Sequence, residues 1–251
     1  MDIMTDLPDS LLLHIFSFLD TKQLVQTSCL SKKWIDFWKS APDLNFDFAY
    51  NVDENKVMNL LHYVLHGRYD SRIRKLQLSR LRFSTTSKLT RWLTFALERH
   101  VEEVHLDSIV YSKIYWELPH FLFTSTVKVL KYKEEYPVTV ALKLPNSILK
   151  ATQLTTLSLQ YVRLVPSDSN GELILSCPVL ETLSLKYCPH HLRMLNISAA
   201  RLKRLKIYGY RLIDYTKHHK IKICTPNLIS LDLVHPYYND FYLEDLPSIS
   251  S

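Results

Sequence analysis

The stretch Cys177-Pro-Val-Leu-Glu-Thr-Leu-Ser-Leu185 carries leucines at 180, 183 and 185, the spacing L-x-x-L-x-L. Side chains alternate along a strand, so Leu183 and Leu185 share one face and the residues flanking them share the other. Working outward with Ile, Val or Tyr admitted, the pattern stands at Ile73-Leu76-Leu78, Val101-Val104-Leu106, Val127-Leu130-Tyr132 and Leu154-Leu157-Leu159. Beyond it come Leu202-Leu205-Ile207 and Leu228-Leu231-Leu233. The first positions of successive copies lie 28, 26, 27, 26, 22 and 26 residues apart. No single copy can bury its own leucines; stacking the copies does so.

The period is that of leucine-rich repeats and predicts a mixed α/β chain, a curved solenoid with a parallel sheet on its concave side. The first return path is helical, with Ser87 as cap and Leu89, Trp92, Leu93, Ala96 and Leu97 on one face. Later return paths are shorter: Leu118–Phe123, Leu144–Leu149 and Leu173–Pro178. Leu192-Arg-Met-Leu-Asn-Ile197 repeats the pattern too close to its neighbours for a full coil of about 20 residues. It reads as a short return strand on the convex side, or as a different division of the coils between 180 and 227.

Solenoids usually bind through the concave face. Its central row is Gln77, His105, Lys131, Ser158, Ser184, Lys206 and Asp232. The row one step back is Lys75, Glu103, Val129, Thr156, Thr182, Arg204 and Ser230. Hydroxyl residues thus occupy the middle and charge the two ends. The candidate face for a protein substrate is His105, Lys131, Ser158, Ser184, Arg204, Lys206 and Asp232, with Arg204 and Lys206 meeting acidic groups.

Toward the N-terminus the periodicity becomes helical. In Asp6-Leu-Pro-Asp-Ser-Leu-Leu-Leu-His-Ile-Phe-Ser-Phe-Leu19, residues Leu12, Ile15, Phe16 and Leu19 fall on one face. Asp20 or Thr21 caps a second short helix carrying Leu24 and Val25, and Ser31 a third in which Trp34, Phe37 and Trp38 recur. Leu11, Leu13 and Phe18 are left over. They widen the stripe beyond what one packing partner needs, which predicts a helix covered on two sides. In a unit of about 40 residues the second cover is another protein. A plain three-helix cap on the solenoid's end is the alternative, and the two coexist. Pro42–Phe48 reads as an extended exit segment, and a helix between 56 and 68 carries Val57, Leu60, Leu61, Val64 and Leu65.

Composition narrows the chemistry. The chain has 251 residues, 3 glycines and a formal charge of +6, a modest excess that by itself predicts solubility and is no signal for nucleic-acid binding. Phosphate-loop, dinucleotide, zinc-protease and serine-hydrolase motifs are absent from the sequence. The four cysteines, Cys29, Cys177, Cys188 and Cys224, have no CxxC spacing and read as reduced, mostly buried thiols of an intracellular protein. The pairs His190-His191 and His218-His219 read as solvated loop residues, because sequence neighbours share no face. No cofactor and no metal are expected. Arg201–Lys222 is strongly basic and interleaved with Tyr208, Tyr210 and Tyr215. It is either a site for an acidic, phosphorylated or nucleic-acid partner, or a solvated convex loop plus one edge of the face.

The N-terminal segment resembles an F-box through Leu7-Pro8, then Leu12, Ile15 and Leu19, then Leu24, then Leu30-Ser-Lys-Lys-Trp34 and Trp38. With Cys177–Leu185 and Leu195-Asn-Ile-Ser198, the chain is similar to plant F-box/LRR proteins over essentially its whole length. The resemblance implies an F-box over 1–45, a linker and helix over 46–72, and about seven leucine-rich repeats over 73–251. Many relatives continue into a C-terminal FBD domain, which this chain is expected to lack. The resemblance also implies a non-catalytic, cytoplasmic or nuclear subunit of a ubiquitin ligase. Leu7, Pro8, Leu12, Ile15, Leu19 and Leu24 would meet a Skp-type adaptor joined to a cullin-RING ligase, and the repeats would hold the target. Trp34 and Trp38 would pack the third helix against the box and the first coil. The alternatives are an interaction scaffold without ligase function and a small-molecule co-receptor.

Overall fold

The computed structural model describes residues 7–16, 18–30, 32–48, 53–68, 71–81, 86–108, 114–135, 140–166, 168–189, 192–209, 220–234 and 240–244. Helices α1 (Asp9–Phe16), α2 (Thr21–Thr27) and α3 (Lys32–Ser40) lead to strand β1 (Asp43–Asp47), then α4 (Glu54–Gly67), β2 (Lys75–Leu81) and α5 (Thr86–Glu98). Strands dominate the rest: β3 (Glu103–Ser108), β4 (Ile114–Glu117), the one-turn helix α6 (Phe121–Thr124), β5 (Val129–Glu134), β6 (Val140–Lys143) and a 3₁₀ turn at Asn146–Lys150. They continue as β7 (Thr156–Gln160), β8 (Arg163–Leu164), β9 (Glu172–Leu175), β10 (Thr182–Lys186) and β11 (Met194–Ser198). The last four are β12 (Arg204–Tyr208), β13 (Lys220–Cys224), β14 (Ser230–Val234) and β15 (Asp240–Glu244).

Eight parallel strands make the main sheet in the order β1-β2-β3-β5-β7-β10-β12-β14. Seven of them fall on the seven pattern positions. The eighth, β1, comes from the segment read as an extended exit and pairs in parallel with β2. The return paths build two further sheets, β4-β6-β8 and β9-β11-β13-β15. Leu192–Ile197 supplies β11, which settles its division in favour of a return strand. Helix α5 starts at Thr86, so Ser87 lies inside its first turn and is not the cap.

Period-two leucines explain the main sheet. The inward pairs from Leu44 and Phe46 through Leu205 and Ile207 are all at most 3% exposed. Each such burial contributes about 1.5–3 kcal/mol. Between coils the backbone groups are used up in a repeating way. The carbonyl just before each strand accepts two N–H groups of the next coil, as Arg74 does from Glu102 and Glu103, and Glu181 from Lys203 and Arg204. Where tyrosine replaces leucine, its hydroxyl brings polar neighbours inside. Ser108 Oγ donates to Glu134 Oε2 at 2.7 Å and Tyr132 donates to the same oxygen at 3.1 Å. All three residues are buried, and burial together with Glu134 raises the Tyr132 hydroxyl well above its ordinary pKa.

The N-terminal helices are built into one end of this sheet. Asp20 and Gln23 form a reciprocal capping box at the start of α2. Phe16 meets Trp34 edge-on at 5.4 Å and Phe37 at 5.5 Å. Trp38 stacks on Tyr63 of α4 at 6.1 Å, and a Cβ at Gly67 would stand 3.2 Å from its ring. Trp34 and Phe37 therefore face the three-helix unit while Trp38 faces the first coil. Arg68 locks the junction: its guanidinium is buried and donates to the Trp38 carbonyl at 3.1 Å and the Ala41 carbonyl at 2.6 Å. Burial, with nearby Arg99, lowers its pKa to about 10, so it stays charged at neutral pH. No helix among the described residues is long and apolar enough to cross a membrane.

Candidate functional site

Two surfaces stand out, one on α1 and one on the main sheet. On α1 the helical period splits the apolar residues into opposite faces. Leu12 (1% exposed) and Phe16 (7%) enter the core, and Leu19 packs partly against it. Leu11 (50%) and Ile15 (39%) stand outward at i and i+4, and Phe18 (75%), in the turn after α1, is exposed as well. Pro8 is exposed, and His14 sets its ring edge-on against Phe18 at 5.0 Å. Leu24 is buried and Leu7 half-buried against the core, while Leu30, after α2, is 67% exposed.

Of the six residues that the resemblance assigns to an adaptor contact, Pro8 and Ile15 are thus on the open surface. Leu12 and Leu24 are enclosed by the chain's own core and carry the shape of the unit. Leu7 and Leu19 lie between these extremes. Leu11 and Phe18, which widen the apolar stripe toward a second cover, are on the open surface, as is Leu30, which carries no such expectation. The signal for Leu11 and Phe18 is that they remain once one helical face is assigned inward. Ser31 and the side chain of Leu13 lie outside the described residues.

On the sheet, pairing brings the predicted row together. His105, Lys131, Ser158, Ser184, Lys206 and Asp232 are consecutive cross-strand partners, and Arg204 lies in the adjoining row beside Thr182. Over β1 to β5 several charges are paired, while Lys75 and Lys131 form no ion pair among the described residues. Arg74 pairs with Asp43 and, at 3.2 Å, with Glu103; Arg80 reaches Asp47 at 2.7 Å and Lys133 reaches Asp107 at 3.6 Å. His105 is pushed down to about 4 by burial, helped by Lys75 and Lys131, so its imidazole is neutral at physiological pH. Its Nε2 has no hydrogen-bond partner among the described residues and sits 3.6 Å from a Glu103 oxygen. An open depression of about 230 Å³ lies here, lined by Gln77, His105, Asp107, Lys131, Lys133 and Gln160 among others.

Over β10 and β12 the charges are not balanced. Lys186, Arg204 and Lys206 form no ion pair among the described residues; Lys186 Nζ lies 5.5 Å from the centre of the Tyr208 ring, and Arg204 Nε donates to Thr182 Oγ1 at 3.2 Å. The basic stretch is therefore divided: Arg204, Lys206 and Tyr208 lie on β12, whereas 210–219, including Tyr210, Arg211, Asp214, Tyr215, Lys217 and His218-His219, lies outside the described residues, as does His190-His191. Cys177 and Cys188 are buried, with the Cys188 thiol pushed up to about 12 by burial, which keeps it protonated and a poor nucleophile. Cys177 is raised for the same reason.

Comparison with known proteins agrees with this architecture. The F-box domain family model matches residues 4–45, and the model described as At1g61320/AtMIF1, LRR domain matches residues 64–249. The putative F-box/LRR-repeat protein At5g02930 of Arabidopsis thaliana is 30% identical over 98% of this chain and 48% of its own length. The Arabidopsis thaliana F-box protein At3g03040 is 31% identical over 100% of this chain and 53% of its own. The F-box/FBD/LRR-repeat protein At5g56420 of the same plant is 28% identical, covering 99% and 58% respectively. The chain thus spans about half the length of the curated relatives it matches. No solved structure matches it.

Proposed function

The chain belongs to the plant F-box/LRR-repeat family, and from that premise we propose that it is a substrate-recognition adaptor of an SCF-type ubiquitin ligase. In this reading the N-terminal helices bind a Skp-type adaptor and the sheet face holds the protein to be modified. The chain contributes no reacting group. It raises the effective concentration of the target near a loaded conjugating enzyme. The same reading carries a cytoplasmic or nuclear location.

The observation that carries the proposal is the two-sided α1. With its inward face already sealed, Leu11, Ile15 and Phe18 form an outward apolar row that water does not favour. We assign the adaptor contact to this row with Pro8, in place of the enclosed Leu12 and Leu24. Co-purification with a Skp-type adaptor tests it. Leu11→Ala with Phe18→Ala is expected to weaken capture by at least about 2 kcal/mol, roughly thirtyfold, and leave the melting temperature within a few degrees. Leu12→Ala is expected to act in the opposite sense, costing about 2–5 kcal/mol of folding stability. Undiminished capture by the folded double variant would remove the assignment.

A further inference from the structure

Helix α4 carries His62 and His66 one turn apart, at i and i+4, and both are exposed. Two histidines at that spacing share a helix face and can reach one metal ion, which adjacent pairs such as His190-His191 cannot. The segment His62-Tyr-Val-Leu-His66 has no glutamate between its histidines. It therefore offers ligands without the general base of a zinc protease.

The separation of the two rings suits a common ligand. Their centres stand 4.0 Å apart, with the planes inclined by only 17°. Two imidazole nitrogens bound to one ion at about 2.0–2.1 Å each are at most about 4.2 Å from one another. The pair is already at that distance, and rotation of the exposed His62 ring is left to set the angle.

His66 is also held in the ligating form. Its Nδ1 lies 3.0 Å from the His62 carbonyl oxygen. A carbonyl only accepts, so Nδ1 carries the hydrogen, and the lone pair of the neutral ring is on Nε2. Metal-binding histidines use their second nitrogen in this way, which fixes both tautomer and orientation. The His66 ring also packs on Phe95 of α5 at 4.7 Å, and the Arg99 guanidinium lies 3.7 Å over that phenyl ring. One of the two ligands is thus positioned before any ion arrives.

The donor set decides the ion. No group of three or more histidine, cysteine, aspartate or glutamate ligands occurs among the described residues, so two imidazoles are the protein's share and water fills the remaining positions. Calcium and magnesium require oxygen ligands and do not fit. Imidazole suits zinc, nickel and copper, and of these divalent ions copper binds most tightly.

We propose that His62 and His66 chelate one divalent transition-metal ion, copper(II) most tightly and zinc(II) less so. The site uses residues of neither surface described above and is independent of the adaptor reading. Its consequence is mechanical. Tyr63, inside the clamped turn, stacks on Trp38, and Arg68, just past it, bonds the Trp38 and Ala41 carbonyls. The ion ties down the helix turn that joins the N-terminal unit to the first coil, and it stabilises the folded chain by binding that form.

The test titrates the metal-free full chain with copper(II) chloride and with zinc chloride by calorimetry. Either His62→Gln or His66→Gln is expected to weaken copper binding at the tightest site about hundredfold, because a chelate is reduced to a single ligand. His120→Gln, an exposed histidine elsewhere, should leave it unchanged. The electron paramagnetic resonance spectrum of the copper form should show two imidazole nitrogens, and zinc should raise the melting temperature of the parent chain by a few degrees and of neither variant. On the unaltered chain, zinc should protect His62 and His66 together from diethyl pyrocarbonate, a readout that needs no variant to fold. Equal copper affinity in parent and variants, a spectrum with one nitrogen, or modification of both histidines at an undiminished rate in zinc would each overturn the proposal.

Discussion

The two ends of the main sheet carry the same pattern and meet different fates. At the first strand, Leu44 and Phe46 are 0% and 1% exposed. Helix α2 stands against that end, and the Thr21 hydroxyl accepts the Asn45 N–H of the edge strand at 2.8 Å. At the last strand the equivalent Leu231 and Leu233 are only half-buried, with Ile229 71% exposed beside them. On the adjoining sheet Phe241, Tyr242 and Leu243 of β15 are 39%, 44% and 51% exposed. Among the described residues nothing covers this end. In a stacked fold each coil is stabilised by its neighbours, so a coil with one neighbour is weaker than a coil with two. The F-box helices therefore act as a terminal seal as well as a proposed coupling.

The largest effect that sharpens this contrast is a pair of core truncations. Phe46→Ala is expected to cost about 3–5 kcal/mol, and Leu233→Ala about 1 kcal/mol, in urea denaturation. Equal losses would mean that both ends are equally packed and would break the comparison. Acid should come next, acting on the sealed half through His105. Its unfolded imidazole takes up a proton near 6.5 while the folded one waits until about 4, so stability present above 6.5 is lost as pH falls through that window. At this partly exposed site the loss is on the order of 2 kcal/mol, and His105→Gln should flatten the stability profile between those pH values. The smallest expected effect is at the seal itself. Thr21→Val keeps shape but strands the Asn45 N–H, and should cost about 1–2 kcal/mol while speeding hydrogen exchange selectively along β1.

The legibility of the molecule followed the strength of its periodic signals. Seven strands of the main sheet were visible because each places two large apolar residues at spacing two after a third one. Strand β1 was not, since Asp43-Leu-Asn-Phe-Asp47 has the alternation without the repeat around it. Register along the row from His105 to Asp232 was also legible, because the copies align without insertions inside the strands. The α1 surface was only half legible. With apolar residues on both faces, helical period alone does not say which face the core takes, and Leu12 and Ile15 went into one stripe although they end on different sides. The Ser108–Tyr132–Glu134 trio had no sequence signal.

By itself the sequence determined the class of fold, the number of pattern-bearing coils, the helical N-terminal unit and the order of residues along the sheet face. These follow from local rules: alternation along a strand, period along a helix, and the need of each coil for a neighbour. Only the tertiary structure decided which apolar residues are spent and which are left over, and which cations find a counter-charge. Burial and pairing depend on what other segments of the chain bring within a few ångströms. Leu44 and Leu231 are equivalent in pattern and differ in that company alone.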